Sequence, residues 1–355
     1  MDRVSLSLAQ NREVLNLKAL AGDYTVMGRH IDIAKLPLFL QNAESVGYRV
    51  QFWRQPQSGI ANIYFNESWA GNAEVQSFLA NADFRRALSM GIERDQINEV
   101  FFLGLGSVEG LCFGFDDPEN PGKYVGEDYV RYQPERANSM LDALGLDQRD
   151  SDGFRLLPSG EKLVVELPAV AAAFEDYPGI NEMIGQQWKN NLGIDTALQT
   201  LERSLHGDRA EANELMTQNW ESSGRDAVMI TPQHLLPVAG NNFLGPLYVQ
   251  WFDGEPGGVE PTSEFIVQQQ QLYAEGITTA GPERLAYIRQ RVVELNCEAA
   301  NPVTTVMNKP TYVAIIKNDV RNIPNPLPFS YHTQTTGNGF PETWWIDTKD
   351  AMEGQ

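Results

Sequence analysis

The 355-residue sequence has only two cysteines, Cys112 and Cys297, so neither a disulfide framework nor a zinc cluster can be written from it. The redox compartment is therefore undecided by cysteine usage. Basic residues are also scarce: 27 Lys and Arg stand against 47 Asp and Glu, a net charge of −20. Such a surface repels phosphate backbones and anionic lipid, and no Lys/Arg stripe interleaved with aromatics runs along the chain. Nucleic acid is excluded as a partner. No run of about 18 apolar residues is present to span a bilayer, which excludes direct membrane insertion by a helix. Residues 1–10 lack the apolar core of a signal peptide, so the sequence as written predicts a soluble chain without an export signal.

Catalytic signatures are missing as well. There is no Gly-x-Ser-x-Gly elbow, no His-Glu-x-x-His pair and no Gly-x-x-x-x-Gly-Lys phosphate loop. Gly104-Leu105-Gly106 follows a helix rather than a strand, which makes it a helix stop and not a dinucleotide fingerprint. His30, His206, His234 and His332 have no metal-ligand spacing. Asp150-Ser151-Asp152-Gly153 has part of a calcium-loop pattern, but Gln148 and Ser159 occupy its first and twelfth positions, so the bidentate carboxylate is missing. That segment reads as a turn held by aspartate side chains. The expectation is no catalytic residue, no metal and no cofactor. With 47 acids, close carboxylate pairs arise in any fold, so a carboxylate-dependent glycoside hydrolase remains only as an alternative.

Against these absences, 42% hydrophobic and 10% aromatic residues suffice for a sizeable core, and the length suggests two lobes. Residues 3–8 alternate with period two and predict a strand; Asn11 to Leu20 and Ile33 to Glu44 read as helices, Tyr48 to Trp53 and Ile60 to Asn66 as strands. Small and polar residues from Ala70 to Ala80 predict a crossover between lobes. Asp83 is placed to cap Phe84 to Ile92, Asp95 a second helix through Leu103, and Pro134 opens a helix to Leu144. Phe154 to Leu157 and Leu163 to Leu167 predict a β-hairpin, followed by a helix from Gly179 to Asn191 that buries Trp188, and by a strand from Ile194. Alternation of strand and helix argues for an α/β lobe. After Trp220 the chain is rich in Pro and Gly and reads as a long loop; Ile266 to Glu275 and Arg284 to Cys297 predict helices, and Thr304 to Met307 and Tyr312 to Ile316 strands. Trp220 and Trp251 flank that loop-rich segment outside any helical apolar stripe, where an indole face can meet a sugar ring or a peptide.

Four ordered segments resemble the family 5 extracellular solute-binding proteins, the peptide- and oligosaccharide-binding components of bacterial ABC importers. They are Asp83-Phe84-Arg85-Arg86-Ala87-Leu88-Ser89-Met90-Gly91-Ile92-Glu93-Arg94-Asp95-Gln96-Ile97, Tyr132 to Leu146, Arg149 to Arg155, and Trp188-Lys189-Asn190-Asn191-Leu192-Gly193-Ile194. The resemblance continues upstream through Arg12 to Gly22 and Gly28 to Ile31. It implies an α/β, two-lobed periplasmic-binding-protein-like fold (type II, cluster C-like), with lobe I incomplete because Met1 falls inside that lobe, as in an N-terminally truncated product. Residues 1–77 and 302–355 would form the remainder of lobe I, and residues 78–301 lobe II.

The resemblance also implies function. Two lobes would close on a small solute without chemistry and present it to ABC permease subunits, in the periplasm or outside the cell for the full-length family. An inert fragment is the remaining alternative. Ile63-Tyr64-Phe65-Asn66 is similar to the family's ligand strand, and Trp220-Glu221-Ser222-Ser223 to the segment that meets the ligand. The ligand-binding residues implied are Tyr64, Asn66, Trp220, Glu221, Ser222 and Ser223, with Trp251 added for its aromatic area. Relatives that clamp a peptide's amino terminus carry an aspartate where Ser223 stands, and a neutral hydroxyl makes no charge-assisted pair with an ammonium. Peptide and oligosaccharide therefore both stay open as ligands.

Overall fold

The computed structural model describes residues 4–54, 59–108, 127–171, 173–222, 228–240, 242–306, 310–329 and 334–347. In chain order its first elements are α1 (Arg12–Leu20), β1 (Val26–Met27), α2 (Leu36–Val46), β2 (Tyr48–Arg54), β3 (Asn62–Phe65), α3 (Ala73–Leu79), α4 (Ala82–Met90) and α5 (Arg94–Phe102). There follow α6 (Glu127–Val130), α7 (Pro134–Ala143), β4 (Val164–Val170), α8 (Tyr177–Leu192), β5 (Asp195–Leu201), α9 (Arg203–Glu211) and β6 (Thr217–Trp220). The last are α10 (Pro246–Phe252), α11 (Glu264–Gly276), α12 (Pro282–Ala299), β7 (Val303–Thr304), β8 (Pro310–Lys317), β9 (Val320–Arg321) and β10 (Trp345–Ile346). The chain divides into two compact units: Met1–Pro56 with Glu99–Gly106 and Asn308–Gln355, and Gln57–Asn98 with Ser107–Met307.

In the first unit β8 lies between β1 and β2 in an antiparallel sheet, its pairing with β2 running from Tyr48↔Lys317 to Arg54↔Pro310. Tyr48 and Trp53 have opposite parity in β2 and are buried on its two faces; the Trp53 indole stacks on Phe329 at 6.3 Å, where Ala314, Ile316, Val320 and Leu327 close one core. Helix α2 ends at Gly47, whose φ of 81° is the left-handed conformation a glycine adopts at least cost, and Tyr48 then donates from its hydroxyl to the Phe39 carbonyl at 2.9 Å. The alternating N-terminal segment does not form the expected strand. Among the described residues 4–9 carry no regular structure, and Leu6 and Leu8 are each 94% exposed, because no strand pairs with them. Arg3 lies outside the described residues.

The second unit is built on a parallel pair. β4 and β5 run in register from Val164↔Asp195 to Val170↔Leu201, and α8 makes the crossover. Helix α8 starts where the Asp176 carboxylate accepts from Gly179 N, and stops at Gly193 with φ 67°. Its Trp188 is fully buried and donates to the Leu88 carbonyl at 2.9 Å, as its apolar stripe predicts. The expected hairpin is reduced to two isolated bridges, Arg149↔Arg155 and Leu156↔Lys162; the returning segment belongs instead to parallel β4. Asp150 holds the turn before it, its side chain accepting from Asp152 N and Phe154 N, both at 2.9 Å.

Three further expectations change. The supposed crossover at 70–80 contains α3, because Asn72 caps it by accepting from Glu74 N and Val75 N. Asn81, not Asp83, caps α4, while Asp83 pairs with Arg86 at 2.8 Å. The compact units also meet the sequence near residues 56 and 307 rather than 77 and 301. The reason is pairing: β3 lies between β6 and β7, so Asn62–Phe65 joins the second unit.

Three buried arginines pin this unit. Arg94 is 4% exposed and is satisfied by oxygens without a carboxylate, donating to Thr304 O, Ser89 O, Val130 O and Ser89 Oγ at 2.7–2.9 Å. Arg85 donates to Ala299 O and Leu79 O and pairs at 3.2 Å with buried Glu67, whose carboxylate also accepts from the Asn301 amide at 3.0 Å. Arg155 joins α7 to the end of α8 through Asp142 Oδ1 and Leu192 O. Cys297 is buried in α12 and is disulfide-bonded; the other cysteine of the sequence, Cys112, lies outside the described residues.

Candidate functional site

Strand register sorts the β6–β3–β7 sheet into two faces. Direct cross-strand partners point the same way, so Asn62↔Trp220, Tyr64↔Gln218 and Asn62↔Thr304 set one face, and Ile63↔Asn219, Phe65↔Thr217 and Ile63↔Val303 the other. The second face is sealed: Ile63, Phe65 and Val303 are fully buried, Thr217 donates to Glu166 O at 2.6 Å, and Asn181 donates to Asn219 Oδ1 at 2.7 Å.

The first face is aromatic. Half-buried Trp220 meets Phe174 edge-on at 5.3 Å, Tyr177 at 6.1 Å and Phe243 at 6.3 Å. Phe243 in turn packs edge-on against Tyr64 at 5.1 Å and lies parallel to His234 at 5.4 Å. The Arg203 guanidinium stands 5.3 Å from the Trp220 ring centre and 5.8 Å from that of Phe174. Edge-to-face geometry of this kind fixes ring orientation as well as burying area.

Polar groups set the rim. Tyr64 is fully buried, its hydroxyl donates to Glu221 O at 3.3 Å, and burial pushes its phenol well above the usual tyrosine range. Asn62 donates to Trp220 O at 3.0 Å and to Gly59 O at 3.1 Å. Ser222 continues the pairing beyond β6: its N–H donates to Gly59 O at 2.9 Å and its Oγ accepts from Gly59 N at 3.0 Å. Glu221 and Ser222 are half-buried. Gln218 is fully buried on the aromatic face, and neither its Oε1 nor its Nε2 has a hydrogen-bond partner among the described residues.

The residues expected from the sequence therefore divide. Tyr64, Trp220, Glu221 and Ser222 are brought together in one unit. Asn66 is not available for a solute: its amide donates to Asn213 Oδ1 at 2.7 Å and Leu215 O at 3.0 Å, and its Oδ1 accepts from Ser68 N and Oγ, both at 3.0 Å. It is a turn-holding residue. Trp251 sits on helix α10 rather than on a loop, 42% exposed, and among the described residues no ring contact joins it to Trp220. Pro246 in the first turn starts that helix inside a segment whose Pro and Gly content suggested only loop. Ser223 lies outside the described residues. Missed by sequence reasoning were Phe174, Tyr177, Arg203 and Phe243, which approach Trp220 from distant points of the chain. The one local signal was Phe174 and Tyr177 flanking the Asp176 cap of α8.

Among the described residues no group of three or more His, Cys, Asp or Glu side chains could hold a metal ion. None of their helices is long and apolar enough to cross a membrane.

The comparisons with known proteins agree on the architecture. An oligopeptide-binding protein, OppA, superposes with a TM-score of 0.71 at 26% identity, covering 96% of this chain and 56% of its own. The periplasmic binding protein MelB from Agrobacterium fabrum C58, in complex with stachyose, gives 0.70 at 16% identity, with 89% and 47% covered. The oligopeptide-binding protein AppA from Bacillus subtilis, in complex with a nonapeptide, gives 0.67 at 14% identity, with 96% and 59% covered. The chain thus spans about half the length of these structures. No curated protein matches the sequence. The profile of the bacterial extracellular solute-binding proteins, family 5 (Middle), matches residues 1–234, and the chain belongs to that family.

Proposed function

We propose that the chain is the solute-binding part of an ABC importer, that it holds a peptide or an oligosaccharide without chemistry, and that it hands the solute to permease subunits outside the cytoplasmic membrane. The observation that carries this reading is the Trp220 face: three rings, Phe174, Tyr177 and Phe243, each set against the Trp220 indole beside Glu221 and Ser222. Edge-to-face rings next to backbone carbonyls suit a solute that alternates apolar faces with hydrogen-bonding groups, which describes both a sugar chain and an extended peptide. Family membership and the peptide and stachyose complexes of similar structures support it. In this reading Trp220 supplies contact area, Tyr64 backs the wall, and Glu221 and Ser222 orient polar groups. Ser223, next along the chain, belongs to the same proposed set.

The test is a thermal-shift panel of peptides and oligosaccharides, with mass analysis of each recovered solute. A bound solute raises the unfolding temperature in proportion to the logarithm of its concentration. Stabilisation with the solute recovered intact supports the reading. Stabilisation accompanied by product identifies a hydrolase instead, and no stabilisation by any member identifies an inert fragment.

A further inference from the structure

Helix α9 carries two arginines, and among the described residues only one meets a carboxylate. Arg209 pairs with Glu214 at 3.1 Å and donates to Gln199 at 2.8 Å. Arg203, exposed at the start of the helix, makes no ion pair and no side-chain hydrogen bond among the described residues; its guanidinium is held only over the rings of Trp220 and Phe174. The nearest acid in sequence is committed elsewhere: the Glu202 carboxylate accepts from Ser204 N at 2.8 Å and Leu205 N at 3.4 Å as the helix cap. Glu175 and Glu221, adjacent to the rings in sequence, have interactions of their own. In a chain where acids outnumber bases 47 to 27, an arginine left without a carboxylate runs against the odds. A guanidinium lying on ring faces is held by them while its N–H edge stays free, and that edge matches a carboxylate with two parallel hydrogen bonds.

We propose that Arg203 reads a carboxylate on the solute, so that the ligand of the Trp220 face is anionic: a peptide presenting a carboxylate, or an oligosaccharide containing uronic acid. The inference rests on the solute-binding reading and narrows its substrate class. In sequence, the aspartate that the resemblance implies for an ammonium anchor is replaced by Ser223, while Arg203 stands over the indole without an acidic partner among the described residues.

Matched pools test it on the purified 355-residue chain. One pair is tetra- to hexapeptides of uncharged residues, with free C-termini and with amidated C-termini. The other is short oligogalacturonates and their methyl esters. Binding is read by thermal shift and by native mass spectrometry of the retained species. The expected result is that the free carboxylate member of one pair binds about 10- to 100-fold more tightly than its neutral mate, the range of a charge-assisted contact, and that Arg203→Gln removes this difference. The pair that discriminates names the source of the carboxylate. Equal binding of acid and neutral members overturns the proposal while leaving solute binding intact, as does a difference that survives in Arg203→Gln. Retention of neither pair overturns the carboxylate proposal, and solute binding itself then falls only if the wider panel of peptides and oligosaccharides also gives no stabilisation.

Discussion

Two sets of arginines in one unit do opposite work. Arg85, Arg94 and Arg155 are buried and spend their donors on main-chain carbonyls from distant segments, so each replaces several interactions that loops alone could not make. Burial pushes the Arg94 guanidinium down to about 9, and burial lowers Arg85 as well, opposed by Glu67. Arg203 is exposed, commits no donor among the described residues, and rests on aromatic faces. The difference teaches that a guanidinium's neighbours, rather than its charge, decide whether it holds a fold or waits for a ligand.

The largest effect that sharpens this comparison is at the buried pair. Glu67→Ala leaves the Arg85 charge uncompensated and is expected to lower stability by about 3–5 kcal/mol, measured by urea unfolding. A loss below 1 kcal/mol would mean the pair is not the pin described. Next comes acid. His206 is buried in α9, and burial, then the positive charge of Arg209, pulls its imidazole down to about 4. Above pH 6.5 the ring is neutral in both states and its contribution is complete. As the pH falls from 6.5 toward 4 the unfolded chain takes up a proton that the folded one refuses, so stability drops by about 3 kcal/mol over that window. Thermal unfolding between pH 7 and 4 should show the fall, and His206→Gln should remove that part of it.

Smaller effects belong to the aromatic face. Trp220→Ala should cost about 2 kcal/mol, less than a fully buried tryptophan because the ring is half-exposed, yet it should abolish the thermal shift given by the best solute. Arg203→Gln should change stability by no more than about 0.5 kcal/mol, since it breaks no hydrogen bond. If instead it destabilises as Glu67→Ala does, the contrast between the two kinds of arginine fails.

Much of the fold is legible in sequence where the signal is local. The Trp188 stripe, the Pro134 start of α7, the Gly193 stop of α8 and the Asp150 turn all rest on residues within a few positions of one another. What escaped is long-range or depends on a partner. The alternation at 4–8 is a strand pattern that pairs with no strand among the described residues, and Leu163–Leu167 has the same pattern whether it folds back on Phe154 or lies parallel to a strand about thirty residues later. In the site, Tyr64 and Trp220 could be selected by resemblance and are placed on one face by the β3–β6 register. Asn66 misleads because alternation assigns it to that face, whereas the strand ends at Phe65 and its amide turns to Asn213. Arg203 and Phe243 have no sequence signature, because what distinguishes them is the indole beside them.

The most direct test of the central claim is a calorimetric titration of the best-stabilising solute into the wild type, Trp220→Ala and Trp251→Ala. Binding at the Trp220 face predicts at least about a tenfold loss of affinity in Trp220→Ala and wild-type affinity in Trp251→Ala. Wild-type affinity in Trp220→Ala would contradict it.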